Sequence, residues 1–362
     1  MSRSLREGKT FTVVFQNVSW TVGRKKNRVT LIDNVTGYFE PCTLTALMGA
    51  SGSGKSSLLD ILAKRKTQGD IGGKIFYNEF PLSSSFARRH IGYVEQSPAL
   101  IANLTCEEML LYTAALQRPA SEDPKWQKRE IQKLMKMLGL LARKDVIVGD
   151  SLAKGLSGGE TKRVTIALGM IREPMVLYLD EPTSGLDSAT ANEIMKLMKE
   201  IADDNRTVIA SIHSPTAFCF SLFDNLLLLA SGNVAFCGKA SEAEAFLSSV
   251  GFDRDASYTT SEWLVDLLTQ SESLGKVTAG YQASPLAEQN RQTVERLLLE
   301  SQDPAEADTS PAGCGSLGSS LANLAEGKKN KKTKGATGYE PNSSFHQLKS
   351  LVKFRTPRNY TD

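Results

Sequence analysis

Histidine, tryptophan and cysteine are the scarce residues of this chain: three, three and five among 362. Cys42, Cys106, Cys219, Cys237 and Cys314 are scattered, odd in number, and never spaced as CxxC or clustered with histidine. This pattern argues against a disulfide framework and a zinc site, and predicts reduced thiols in a cytosolic setting. Charge of one sign is lacking too. The 43 Lys plus Arg stand against 40 Asp plus Glu, a net of +3, too little for a dedicated nucleic-acid binder. The longest apolar run that tempts, Leu226-Leu227-Leu228-Leu229-Ala230, has five residues against about 20 for a membrane-spanning helix. MSRSLREGKTF at the start has no apolar stretch of the kind a secretory leader needs. By itself the chain therefore reads as soluble and cytosolic. At 41% hydrophobic it is neither collagen-like nor wholly disordered, and its length suits one large domain or two modest ones.

What is present is an alternation of strands and helices. FTVVFQNVSW and VTLIDNVTGYF read as strands flanking a basic turn at Arg24 to Arg28, and LTALMG runs into a glycine-rich turn followed by the helix-like SSLLDILAKR. IGGKIFYN and HIGYVEQ read as short strands, VLYLDEP and TVIASIH as buried strands, and ANEIMKLMKEIA as a helix. From about 104 to 170 the pattern is mainly helical, interrupted by Pro119 and Pro124. These signals predict an α/β fold: a parallel-sheet core, an N-terminal antiparallel β part and an inserted helical subdomain. Residues 271–343 read as a flexible linker, polar and Ser/Ala/Gly-rich over 283–343, with a lysine-rich run from Lys328 to Lys334. Residues 344–362 form a last amphipathic stretch, with Phe345, Leu348, Leu351 and Val352 on one face.

Gly49-Ala50-Ser51-Gly52-Ser53-Gly54-Lys55-Ser56 fits G-x-x-x-x-G-K-[ST], with Ser57 next in the helix. Glycines let the backbone wrap around phosphate, so that successive N–H groups and a helix N-terminus face the anion. Lys55 would reach the β- and γ-phosphates and the Ser56 hydroxyl would ligate Mg²⁺. Its place between a strand and a helix separates it from a chance glycine-rich turn. Asp180 and Glu181 end the apolar run Val176 to Leu179, at the edge where open α/β sheets bind ligands. Alone they would be a solvated acidic strand end. With the phosphate loop upstream, Asp180 suits the Mg²⁺ shell and Glu181 the attacking water. Ser157, Gly158 and Gly159 open another helix, either as a surface loop or as a second anion cradle serving a nucleotide held by another copy. His213 taken alone is a core histidine at a strand end.

The ordered set of Gly49–Ser56, Gln96 in YVEQ, LSGGE at 156–160, LDEP at 179–182, SGLD at 184–187 and His213 resembles the ATP-binding cassette (ABC) ATPases over about residues 11–270. GKSSLLDILAKR, SGGETKRVTIALGM, LDEPTSGLDSATA, His213-Ser214-Pro215 and FCGKASEAEAFLSSVGF look like the G subfamily, the white or pleiotropic-drug-resistance type. The resemblance implies that Gln96 touches Mg²⁺ and water and couples to a membrane domain, that Asp187 lies on a dimer interface, and that His213 contacts the γ-phosphate. It also implies ATP hydrolysis with Mg²⁺, a homodimer or a heterodimer of half-transporters, and attachment to the cytoplasmic face of a membrane. The tail at 344–362 is similar to the connecting helix that precedes such a membrane domain. Thr259-Thr260-Ser261-Glu262 departs from the family's usual Asn-Pro-Ala-Asp. The adenine-stacking position falls on Trp20 or on Val22, which alternation puts on one face, and a core role is the better reading of Trp20. The lysine run is a solvated charge cluster or a lipid contact adding ~1 kcal/mol per Lys. The rival classes are a soluble ABC ATPase on ribosomes or DNA, which generally carries two cassettes or a long coiled-coil insertion, and a non-catalytic regulatory partner. No nucleic acid is expected as a ligand.

Overall fold

Two β-sheets carry the fold, and the apolar pattern of the strands decides which is which. The computed structural model describes residues 10–23, 27–119, 121–149 and 155–302. Strands β1 (Val13–Val22), β2 (Val29–Phe39), β3 (Leu44–Gly49), β4 (Asp70–Tyr77), β5 (Phe80–Pro81), β6 (Ile91–Val94), β7 (Val176–Asp180), β8 (Thr207–Ser211), β9 (Asn225–Ala230) and β10 (Asn233–Lys239) divide into two sets. β1, β2, β4 and β5 mix buried and exposed positions and form an antiparallel sheet in the order β2-β1-β4-β5. β3, β7 and β8 are almost continuously apolar and buried, as strands covered on both faces must be. They lie in a six-stranded sheet, β10-β9-β3-β8-β7-β6, parallel except for β10. The five-residue apolar run that is too short for a membrane is most of β9.

Helices α1 (Lys55–Leu62), α2 (Ser84–His90), α3 (Cys106–Gln117), α4 (Pro124–Met137), α5 (Gly158–Met170), α6 (Ser188–Asp203), α7 (Ala217–Ser221), α8 (Ala243–Ser249), α9 (Thr260–Thr269), α10 (Ser271–Ala283) and α11 (Pro285–Gln302) complete the chain. α3 to α5 lie between β6 and β7 in the sequence. Side-chain caps begin many of the helices. Thr105 with Glu108, Ser157 with Glu160 and Thr259 with Glu262 each form a reciprocal capping box. The Thr-Thr-Ser-Glu departure thus acts locally as a helix start. Between the sheets, the Tyr77 hydroxyl donates to the Leu62 carbonyl (2.7 Å) and meets the Tyr178 hydroxyl (2.7 Å), so α1, β4 and β7 are joined through two fully buried rings.

The linker reading needs correction at its start. Residues 271–302 are α10 and α11, not a flexible segment. Their polar composition hides Leu274, Val277 and Tyr281, then Ala287, Val294 and Leu298, spaced three, four or seven apart. Pro285 opens α11, where its missing N–H costs nothing. Val294 and Leu298 pack against Val14 of β1, with Tyr38 and Phe76 alongside. Asn290, also buried, donates to the Cys237 carbonyl (2.7 Å) and to the Tyr281 hydroxyl (2.9 Å). The rest of the predicted linker with its lysine run, the 344–362 helix and most of the Arg24–Arg28 turn lie outside the described residues.

Docking of α11 gives a direct stability test. Leu298→Ala should lower the unfolding free energy by about 2–4 kcal/mol. Its neighbour Leu299, 68% exposed, should tolerate alanine within about 0.5 kcal/mol. Urea unfolding of the two variants checks this; equal effects would mean that α11 does not dock.

Candidate nucleotide-binding site

The phosphate loop leaves β3 at Gly49 and enters α1 at Lys55. A β-carbon at Gly49 would stand 2.4 Å from the Leu229 carbonyl oxygen, and Gly54 has φ +102° at the helix N-cap. Both positions therefore require glycine. Gly54 supplies no side-chain cap, so the N-terminal N–H groups of α1 are left for an external anion. Lys55 is buried, and its ammonium donates to the Gly49 (2.9 Å) and Ala50 (3.0 Å) carbonyls. Burial pushes its pKa down, opposed by the carboxylates of Glu181 and Asp180. Ser53 Oγ is buried without a partner. An uncapped helix start, a desolvated ammonium turned onto its own loop and an orphaned hydroxyl fit a phosphate chain. Behind the loop, the β9–β10 turn is a prop: Gly232 N donates to the Ser53 carbonyl (3.0 Å), and Asp33 N to the Gly232 carbonyl (2.9 Å).

The ends of three neighbouring strands face this loop. Asp180, the last residue of β7, accepts at Oδ1 from the Ser56 hydroxyl (2.8 Å) and the Ser211 hydroxyl (2.7 Å). Ser211 Oγ in turn accepts from Glu181 N (2.9 Å). Glu181 has φ +46°, a left-handed turn that costs about 1–2 kcal/mol for a non-glycine residue. Its Oε2 accepts from the Gln96 side-chain amide at 2.6 Å, beyond the end of β6. His213 lies just past β8. It is exposed, with Nδ1 3.0 Å from Ser214 Oγ, so the core-histidine reading is overturned. For Mg²⁺, Ser56 Oγ and Asp180 Oδ1 are adjacent hard oxygen donors, with Gln96 linked to the neighbouring Glu181. No group of three or more His, Cys, Asp or Glu side chains among the described residues is arranged to hold a metal.

The LSGGE segment, read above as a surface loop or a second cradle, is elsewhere on the surface. Ser157 and Gly158 are exposed at the start of α5, and no hydrogen bond among the described residues joins Ser157, Gly158 or Gly159 to the phosphate loop. Ser157 Oγ accepts from Glu160 N (3.3 Å) while Glu160 Oε2 accepts from Ser157 N (2.8 Å). That backbone bond, with help from Arg143, holds the Glu160 carboxyl below its ordinary pKa. Gly159 abuts Thr190, where a β-carbon would come 2.5 Å from Cγ2. Asp187 caps α6, accepting from Thr190 N (3.0 Å) and Thr190 Oγ1 (2.6 Å), which pull its pKa down. Trp20 is a core residue: its indole N–H donates to the Gln68 carbonyl (2.8 Å), and the Lys66 ammonium covers the ring at 4.3 Å. Val22 is only partly buried.

Two residues of this site escape the motif reading. Ser211 orients both acidic residues, and its one sequence signal is a lone hydroxyl closing an apolar strand. Lys162 is buried on α5, with Nζ donating to the Gln96 carbonyl (3.2 Å) and the Glu181 carbonyl (3.4 Å). Its signal is a cation on the helix face that also carries Thr165 and Ile166.

A family model described as ABC transporter matches residues 32–184. The chain is 42% identical over 240 residues to ABC transporter G family member 24 of Dictyostelium discoideum, covering 63% of this chain and 21% of that protein. It is 35% identical over 315 residues to the bovine broad substrate specificity ATP-binding cassette transporter ABCG2, covering 85% of this chain and 46% of that one. The chain thus spans less than half the length of these curated relatives. Among solved structures it resembles a dimeric bacterial ABC transporter cassette, with TM-score 0.55 and 25% identity over 63% of this chain and 98% of that one. A post-hydrolysis cassette dimer bound to ADP and phosphate shares the fold at TM-score 0.54 and 23% identity, over 63% of this chain and 98% of that one. With the phosphate loop, strand-end carboxylates and LSGGE helix in place, this chain carries the ATP-binding ATPase domain of the ABC transporter family, in its G-subfamily form.

Proposed function

We propose that this domain hydrolyses Mg·ATP to ADP and phosphate as the motor of an exporter of lipids, sterols or xenobiotics, closing head-to-tail with a second copy or a partner half-transporter. The observation that carries this reading is the spatial split of the site. Lys55, Ser56, Gln96, Asp180, Glu181 and His213 gather at the parallel-sheet edge, while Ser157, Gly158 and Gly159 stand apart on an exposed helix start. One nucleotide needs one cradle, so the second faces a nucleotide held by the other copy. The relatives reported above are named as transporters. In this reading the domain sits at the cytoplasmic face of a membrane and works through a membrane domain; no helix among the described residues is itself long and apolar enough to cross one.

The residues divide the work. The α1 N–H groups and Lys55 bind the phosphates, the ammonium leaving the Gly49 and Ala50 carbonyls for the anion. Bound by Ser56, Asp180 and Gln96, Mg²⁺ would neutralise charge building up between the β- and γ-phosphates. Glu181 releases the Gln96 amide and orients the attacking water, accepting its proton. His213 donates toward the γ-phosphate. The partner's serine and glycine N–H groups complete the cradle, so turnover requires the closed dimer.

Three variants test this scheme. Lys55→Ala should reduce phosphate release by at least about 100-fold; undiminished turnover of the purified protein would remove the assignment. Glu181→Gln should bind ATP with little turnover and accumulate a dimer, which sedimentation with ATP detects. Ser157→Arg should retain ATP affinity within about twofold yet lose turnover by about 100-fold, because the damage falls on the partner's site. Loss of binding itself would contradict a shared site.

A further inference from the structure

A buried cation lies beneath the catalytic carboxylates. Lys162 is only 7% exposed, and its ammonium is held by two main-chain carbonyls, Gln96 O at 3.2 Å and Glu181 O at 3.4 Å. A charge taken out of water is retained at a cost, and replacing it by an apolar residue of similar shape is often neutral for stability. Packing alone therefore does not account for an ammonium here. Its position does. It sits on α5, one turn from Gly158, with about 6 Å of helical rise between them. The same helix thus presents the second anion cradle at its exposed end. One turn further in, it grips the backbone of the two residues whose side chains meet at 2.6 Å. Burial lowers the Lys162 pKa, and Glu181 and Asp180 act against that shift.

We infer that Lys162 is a positioning residue linking the two nucleotide sites of the dimer: it ties α5 to the main chain of Gln96 and Glu181, so that when another copy's nucleotide engages the α5 N-terminus, the displacement reaches this copy's own water-orienting carboxylate. The link deepens the shared-site reading above and rests on it. The linkage is mechanical rather than chemical. Lys162 donates to main-chain carbonyl oxygens, so it governs the placement of Glu181 and leaves ATP affinity to the phosphate loop. Arginine offers donors at similar reach; methionine keeps the stem and removes them.

The test compares Lys162→Met and Lys162→Arg with the unaltered protein by ATP binding, steady-state turnover and amide hydrogen exchange. In Lys162→Met, ATP affinity should stay within about twofold and kcat should fall by about 10- to 100-fold. Exchange should accelerate at 94–97 and 181–184 while β3 and α11 keep their protection. Lys162→Arg should restore both kcat and local protection. An unchanged kcat, unchanged exchange at those two segments, or faster exchange throughout the domain would overturn the proposal, the last marking a merely structural role. Should the unaltered protein hydrolyse no ATP, the proposed function falls and the inter-site link with it. The exchange pattern then still decides separately whether Lys162 holds the two carbonyls.

Discussion

The parallel register of β3, β8 and β7 is the constraint on which the site depends. Leu47 pairs with Ser211, and Ser211 with Asp180, across three adjacent strands. That alignment brings the phosphate loop, two residues beyond Leu47, level with the carboxylates and lets one hydroxyl serve both Asp180 and Glu181. Because all three strands are buried on both faces, alternation alone does not set their register; close packing of the individual side chains and the Ser211–Asp180 hydrogen bond hold it. Ser56 completes the tie by joining the first turn of α1 to the end of β7.

How much of this was legible in the sequence depends on whether chemistry or tertiary context selects the residue. Gly49, Gly54 and Lys55 are dictated by local backbone shape and phosphate chemistry, so they stand out in a short motif. The spans of β3 and β7 follow from apolar runs that need no partner to be recognised. α10 and α11 were hidden because their apolar residues are few and the polar tail beyond them dominates the composition. Ser211 belongs to no motif, and Lys162, though inside SGGETKRVTIALGM, has no role that the motif assigns, since both roles arise only when β7, β8 and α5 come together. His213 shows the same limit from the other side: an exposed imidazole at a strand end is an outcome of packing that the residue alone does not reveal. Trp20, by contrast, is buried as its place in an apolar strand suggests.

Capping gives several motif residues two duties. Ser157 and Asp187 each spend their side-chain oxygens on the first turn of their own helices. What remains outward at α5 is backbone N–H and a dipole, a donor set whose direction is fixed before any nucleotide arrives. The capping box places Ser157 accurately, and the contact between Gly159 and Thr190 holds α5 against α6. Preorganisation here comes from ordinary helix-start chemistry.

The prop behind the phosphate loop has a consequence for how the surface tolerates change. A two-residue turn between antiparallel strands, with Ser231 exposed at its tip, is usually the kind of place where evolution and protein engineers insert sequence. In this fold Gly232 is sandwiched between the Ser53 carbonyl and the amide of Asp33, and a β-carbon there would run into the Leu31 carbonyl oxygen at 2.5 Å. The β9–β10 hairpin is thus closed to epitope tags, circular permutation and domain fusion, and lineages of this domain are expected to grow at other loops.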